Sequence, residues 1–265
     1  MKEKISIIGA GNLGLSLVKG LVKSGKYNPN QFILSRRRIN KLNTYKKEGY
    51  AVTSDNLFAA KTSETIIIAV LPQKLNSVLT ELKKTLKPNQ LLVSLVSGVS
   101  ISEIQNIIGN KNPIIRAMPN TAIAIRESMT CISTTQEWEN RLFEVEELFG
   151  LVGETAVINE EKMTSATALC ACGIAFFLRA IRAASQGGNE IDFHASEALK
   201  MAAQTAKGAA GLLLANDSHP EDEIDKVTSP KGCTIAGLNE MEHNGFSSAF
   251  IKGITISANK AKELY

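Results

Sequence analysis

Three glycines within six residues, Gly9-Ala10-Gly11-Asn12-Leu13-Gly14, follow the apolar run Ile5-Ser6-Ile7-Ile8 and open an amphipathic stretch. In that setting the spacing suits a pyrophosphate. The first glycine permits a tight turn, the second lets the backbone approach the phosphates, and the third lets helix and strand pack closely. The helix start adds unpaired amides and a partial positive charge. A glycine-rich turn without a ligand is the plainer alternative, and the strand-turn-helix context favours the dinucleotide. The end of the next apolar run selects between dinucleotides, because a carboxylate there would bond the ribose 2′-hydroxyl and repel a 2′-phosphate. Here it reads Ser35-Arg36-Arg37-Arg38. A hydroxyl and guanidinium groups with no carboxylate suit a 2′-phosphate, so NADPH is expected in preference to NAD, with Ser35, Arg36 and Arg37 as discriminating contacts. For Arg38 a solvated cation is the competing reading.

A second segment, Lys226 to Leu238, places the turn Ser229-Pro230-Lys231-Gly232 directly before Cys233 and Thr234. Main-chain amides at a turn that opens a helix can hold a carboxylate, and Thr234 can add a hydroxyl donor. Val227, Ser229, Pro230, Gly232, Thr234, Ile235 and Leu238 resemble the signature of pyrroline-5-carboxylate reductases, which is close to Val-x-Ser-Pro-Gly-Gly-x-Thr-Ile-x-x-Leu. The likeness runs the length of the chain. It includes Asp55-Asn56, Ala69-Val70 with Pro72-Gln73, Ser97-Gly98-Val99, Met118-Pro119-Asn120-Thr121, Glu160 and His219-Pro220.

The resemblance implies NAD(P)H-dependent reduction of the cyclic imine 1-pyrroline-5-carboxylate to proline, in a homodimer whose helical domains interlock, with further assembly open. Position by position it implies that Ile8, Gly9, Ala10, Gly11, Asn12, Leu13 and Gly14 line the cofactor. Ser35, Asn56, Ala69, Val70, Leu71, Pro72, Leu95, Val96 and Ser97 would complete that lining. Glu160, Asp217, Ser229, Gly232, Cys233 and Thr234 would form the substrate end, with Thr234 and Glu160 as catalytic residues. Hydride transfer to a C=N carbon is assisted when the nitrogen is protonated, so the site must position an iminium more than supply a strong acid. Glu160 or Asp217 can stabilise that cation; equally, Glu160 can be an early-turn helix carboxylate and Asp217 a helix stop. Asn120, at the C-terminal edge of the expected sheet, either meets the nicotinamide or holds its turn.

Three positions depart from the family pattern. The usual Ser-Gly-Ser-Gly-Pro-Ala reads Cys170-Ala171-Cys172-Gly173-Ile174-Ala175, and loss of the proline predicts a more regular helix there. Leu71 stands in place of a lysine, and Lys231 in place of a glycine. Lys231 either takes φ > 0 and is strained, or directs its ammonium toward a carboxylate or phosphate. These changes keep two further readings open: a same-fold imine reductase for another small cyclic imine or acid, and a non-catalytic NADPH-binding protein.

The elements that must position these residues follow from hydrophobic periodicity. Short β-branched runs predict strands at 4–9, 31–35, 65–71, 90–96, 113–118 and 129–133. Helices are expected from near Asn12, Arg37, Gln73 and Ser100, and over 135–149, with Ser100 and Glu103 placed as a capping box. Beyond Asn159 the strand pattern stops, and helices are expected over 160–186, 192–216 and 247–265. The fold class is therefore an α/β Rossmann-like doubly wound sheet, residues 1–158, followed by an all-α substrate-binding and dimerisation domain, residues 159–265. Ala198, Ala202, Ala206 and Ala209 or Ala210, flanked by Ala195, Leu199, Ala203 and Leu213, form an apolar face too broad for so small a domain to cover, which predicts a homodimer.

Composition bounds the alternatives. With 265 residues, 44% hydrophobic and 21% charged, the chain can build a core and is not disordered. A net charge of +4 and 5% aromatics argue against a nucleic-acid platform and a polybasic membrane patch. No apolar run reaches the roughly 18 residues of a bilayer crossing, and no signal peptide is evident, so a cytoplasmic protein with a small-molecule ligand is expected. The four cysteines form no CxxC pair and no zinc spacing; buried reduced thiols are expected, with no metal. Cys170 and Cys172 form the one candidate redox pair, disfavoured because such neighbours point to different sides of a helix. His194, His219 and His243 are read as structural.

Overall fold

The computed structural model describes residues 4–263. Eight strands form one sheet: β1 (Ile5–Ile8), β2 (Phe32–Ser35), β3 (Ala51–Thr53), β4 (Thr65–Ile68), β5 (Leu91–Ser94), β6 (Ile114–Met118), β7 (Ser128–Ser133) and β8 (Gly153–Val157). Their order is β3-β2-β1-β4-β5-β6-β7-β8, and every neighbouring pair is parallel except β6 with β7. The helices of this half are α1 (Asn12–Lys23), α2 (Asn43–Lys47), α3 (Asn56–Lys61), α4 (Pro72–Leu82), α5 (Ile101–Ile108), α6 (Leu142–Gly150) and α7 (Met163–Ala166).

Period-two alternation sorts the strands onto two cores. Ile5, Ile7, Phe32, Leu34, Ile67, Val93 and Ile115 pack on the face of α1 and α6. Ile8, Ile33, Ile66, Ile68, Leu92 and Ile114 pack on the other face, with α3, α4 and α5. Ser100 caps α5 from the Glu103 amide while the Glu103 carboxylate accepts the Ser100 amide at 2.7 Å, the reciprocal arrangement the sequence spacing predicts.

After Asn159 the chain is helical: α8 (Gly173–Glu190), α9 (Ala195–Asn216), α10 (Pro220–Lys226), α11 (Cys233–His243) and α12 (Phe246–Ala261). Two compact units result, one of residues 4–172 with 257–263, the other of residues 173–256. Within the second, a Cβ at Gly188 would lie 2.9 Å from Ala198 Cβ, so small residues bring α8 and α9 close.

Several expectations are corrected. Residues 39–42 form a 3-10 turn before α2, instead of a helix beginning at Arg37, and 136–141 form another before α6. β3, β8, α3 and α10 escape the periodicity; β3 has three residues, and β8 is a half-exposed edge strand with polar residues in it. Residues 167–172 are a π-helix, not a more regular α-helix. Here the Thr167 hydroxyl donates to Met163 O at 2.9 Å, a side-chain bond of the kind that bends helices. The expectation that no segment is apolar enough to cross a bilayer also fails at one place. The helical run Glu160–Glu190 holds an 18-residue window of mean hydropathy 1.6, because alanine, cysteine and glycine bridge its large apolar residues.

Gly153 begins β8 with φ +146, and a Cβ there would overlap the Ser128 backbone. Gly153→Ala is therefore expected to cost about 3 kcal/mol, read from the urea midpoint, whereas Gly150→Ala, with open space around it, should change stability by less than about 1 kcal/mol.

Candidate active site

The first cluster lies at the C-terminal ends of β1, β4 and β5. Chain direction reverses sharply after Ile8 because Gly9 takes φ +91, and its amide and that of Ala10 both donate to Ser35 O, at 3.0 and 2.9 Å. A Cβ at Gly9 would meet Val70 Cγ1 at 2.6 Å and Ala69 O at 2.7 Å, so only glycine fits beside the end of β4. At Gly14 a Cβ would meet Ile7 Cγ2 at 2.7 Å, which makes this a packing glycine. Gly11 is different. The nearest atom to a Cβ there is Gly9 O at 3.8 Å, so packing within the chain does not demand a glycine, and the open space suits a close-approaching diphosphate. α1 then starts with no side-chain cap and no acid in its first turn, leaving the Asn12, Leu13 and Gly14 end of the helix dipole unopposed.

Arg36 lies at the rim of this turn, with Nη1 donating to Ala10 O at 3.3 Å, and Arg37 and Arg38 are exposed. Ser35 requires a correction. It is fully buried, and its hydroxyl donates to Asn56 Oδ1 at 2.6 Å, while Asn56 Nδ2 donates to Glu81 Oε2 at 2.9 Å. Its carbonyl, not a free hydroxyl, shapes the turn. Ala69 and Leu95 continue the ladder by donating to Ile8 O and Ile68 O, Val96 is buried beside them, and Ser97 Oγ approaches Met118 Sδ at 3.7 Å. Leu71 is exposed at the N-cap of α4, with Pro72 as its first residue. Asn120 is occupied in its turn: Oδ1 accepts from the Ala122 amide at 2.9 Å and Nδ2 donates to Cys170 O at 3.2 Å.

Glu160 Oε1 accepts from the Ile101 amide at 2.7 Å and from Arg116 Nη1 at 3.0 Å. Through Oε1 this carboxylate anchors the start of α5 to β6. Arg116, buried in the sheet, is a site residue the sequence reading missed. Its signal was the lone charge in the apolar run Ile114-Ile115-Arg116-Ala117-Met118.

Apart from Glu160, the expected substrate residues lie in the second unit. Ser229, Lys231, Gly232, Cys233 and Thr234 form one turn entering α11, in which the Gly232 amide donates to Ser229 O at 2.9 Å. A Cβ at Gly232 would meet Ser229 Oγ at 2.6 Å. Lys231 takes φ +62, the strained outcome of the two foreseen for it. α11, like α1, starts without a side-chain cap or an acid in its first turn. Asp217 takes φ +49 and ends α9, its amide donating to Leu213 O, so it is a helix stop. The four thiols are not uniformly buried: Cys131 is, Cys170 and Cys172 are half-buried, and Cys233 is exposed at the first residue of α11.

A doubly wound sheet with a glycine turn open to a diphosphate defines a dinucleotide-binding oxidoreductase, and residues 4–98 match the family model described as NADP oxidoreductase coenzyme F420-dependent. Residues 160–264 match the model for pyrroline-5-carboxylate reductase dimerisation. Two pyrroline-5-carboxylate reductases of Dictyostelium discoideum are 50% and 48% identical over 98% of this chain; the chain covers 93% of the first and 50% of the second. Among solved structures, the pyrroline-5-carboxylate reductase of Coxiella burnetii superposes with a TM-score of 0.89 at 29% identity, over 100% of this chain and 99% of that one. The Plasmodium falciparum pyrroline carboxylate reductase, with NADP bound, gives 0.91 at 25% identity over 99% and 98%. The chain belongs to the pyrroline-5-carboxylate reductase family. It is an oxidoreductase acting on a C=N bond, and its reaction is the reduction of 1-pyrroline-5-carboxylate to proline.

Glu160→Gln keeps the shape and removes the charge opposite buried Arg116. A loss of about 1–3 kcal/mol is expected from the urea midpoint, because Arg116 would retain only a neutral acceptor. Asp217→Asn, with a residue that tolerates the left-handed conformation, should stay within about 0.5 kcal/mol.

Proposed function

We propose that the enzyme takes its hydride from NADPH in preference to NADH and works in the cytoplasm as a homodimer. In this reading residues 1–158 hold the dinucleotide and residues 159–265 supply the substrate contacts and the dimer interface. The observation that carries it is the open space at Gly11, where a Cβ would meet nothing nearer than Gly9 O at 3.8 Å, with Arg36 laid across the same turn. The first amides of α1 would hold the diphosphate, and Arg36 with Arg37 would pair the 2′-phosphate through charge-assisted hydrogen bonds. The bound nicotinamide supplies the hydride.

The chain's own residues orient the imine. Amides of the Ser229–Gly232 turn and the Thr234 hydroxyl donate to the substrate carboxylate, and Cys233 lines the same turn. Asp217 is the carboxylate assigned to the protonated ring nitrogen; Glu160 is a positioning residue, through the start of α5 and Arg116. A protonated C=N accepts hydride at carbon without further proton transfer, so a site that fixes the carboxylate and excludes water is sufficient.

Support for the dimer comes from apolar surface that the second unit leaves uncovered: Phe177 and Leu178 on α8, Leu199 and Leu214 on α9, and Ile251 and Ile256 on α12 are all exposed, Leu214 to 85%. A second copy of the same helices buries this surface, including the apolar stretch of α8, without a membrane.

Initial rates of imine-dependent NADPH and NADH oxidation test the reading. NADPH should give the higher kcat/KM, and Arg36→Ala should raise the KM for NADPH about tenfold with little change for NADH. Equal losses for both cofactors would show that Arg36 does not read the 2′-phosphate. Thr234→Ala should lower kcat/KM for the imine about ten- to a hundredfold at unchanged cofactor KM. Light scattering should return at least twice the 28.6 kDa chain mass; a monomer would overturn the assembly.

A further inference from the structure

Cys131 and Cys170 are 39 residues apart in sequence, yet their sulfurs lie 3.8 Å from each other within one compact unit. Cys131 is on β7, in register with Met118 of β6 and Ala156 of β8, and is buried. Cys170 is in the π-helical segment 167–172 that covers this part of the sheet, and is half-buried. Around them pack Met118, Met129, Met163 and Ala166, an apolar, sulfur-rich cluster. The segment is held in place on its own account: Cys170 O accepts from Asn120 Nδ2 and Thr167 Oγ1 donates to Met163 O. The two thiols therefore face each other on elements that are fixed independently, Cys170 half-buried and Cys131 buried.

We propose that Cys131 and Cys170 form a redox-active dithiol, a site of covalent oxidation by low-molecular-weight disulfides of the glutathione type, which closes an intrachain disulfide between β7 and the π-helical segment. The order of events follows from access and charge. A hydrogen bond from the Cys131 thiol holds the Cys170 thiol down at about 7, and the same bond, with burial, pushes Cys131 up, so Cys170 is the thiolate and Cys131 keeps its proton. The Cys170 thiolate attacks one sulfur of oxidised glutathione, forming a mixed disulfide and releasing one glutathione thiolate. Cys131 then passes its proton to the glutathione thiolate released first and attacks Cys170 Sγ, forming the Cys131–Cys170 bond and releasing the second glutathione thiolate. Two protein thiols are oxidised and one glutathione disulfide is reduced to two thiols. The sulfurs must close from 3.8 Å to about 2 Å, a movement within reach of side-chain rotation. This pairing is not the Cys170–Cys172 pair that adjacency in sequence suggests.

The test is oxidation of the intact enzyme with oxidised glutathione at neutral pH, alkylation of remaining thiols, digestion and mass analysis. The expected product is a peptide pair joined through Cys131 and Cys170, lost on treatment with dithiothreitol. Cys131→Ser should stop at glutathione bound to Cys170, and Cys172→Ser should form the link as the unaltered enzyme does. Absence of the Cys131–Cys170 link from the oxidised unaltered enzyme would overturn the proposal. So would a link between Cys170 and Cys172, or a folded Cys131→Ser protein whose Cys170 takes up no glutathione.

Discussion

Two amide hydrogen bonds onto one carbonyl set the geometry of the first half. Gly9 and Ala10 both donate to Ser35 O, so the turn after β1 is bound to the end of β2 at the point where the chain must change direction. On the other side Ala69 donates to Ile8 O and Leu95 to Ile68 O, and β1, β4 and β5 finish in step. A side chain at residue 9 would break this alignment against the Ala69 backbone. Everything placed at the C-terminal edge depends on it, from the first amides of α1 to the Arg36 guanidinium over the turn and the Glu160 anchor at α5.

The helical half obeys a different constraint. Close packing of Gly188 on Ala198 joins α8 to α9, and Phe176, Phe177 and Phe246 gather around Phe250, but most of the alanine face of α9 remains exposed in the single chain. Small residues give up the contacts that would make a self-sufficient core and let backbones approach a partner closely. The match of residues 160–264 to a dimerisation family is the counterpart in sequence.

What the sequence made legible was whatever is written in local periodicity or in a backbone requirement. Strands such as Ile5–Ile8 and Thr65–Ile68 were readable because both their faces are buried. The roles of Gly9 in the turn and of Gly14 in packing against Ile7 were readable because the fingerprint spacing sets both. Ala51–Thr53 and Gly153–Val157 were not, since an edge strand of three residues or one carrying polar residues has no distinctive alternation. Side-chain partnerships across long separations were equally hidden: Ser35 with Asn56, Arg116 with Glu160 and Cys131 with Cys170 are joined only by the register of the sheet and the path of residues 160–172. The lost proline at Ile174 suggested a regular helix upstream, but proline is one of several helix disruptors, and Thr167 shows another.

The departures from the family pattern share a property that reconciles them with reductase activity. Leu71, Lys231 and the Cys170–Ile174 replacement all change side chains, whereas the turns proposed to hold the diphosphate and the substrate carboxylate present main-chain amides at the starts of α1 and α11. Backbone amides are indifferent to the side chain beside them provided the turn conformation survives. At Lys231 it does survive, in the left-handed region and at a strain of about 1–2 kcal/mol. The neighbouring Gly232, where a Cβ would strike Ser229, is retained. The same logic separates Arg36 from Arg38: the turn itself fixes the Arg36 guanidinium through Ala10 O, so its charge is held where a phosphate would need it. In the proposed reading the turn conformations set both anion sites, and the Arg36 guanidinium and the Thr234 hydroxyl add side-chain contacts to them.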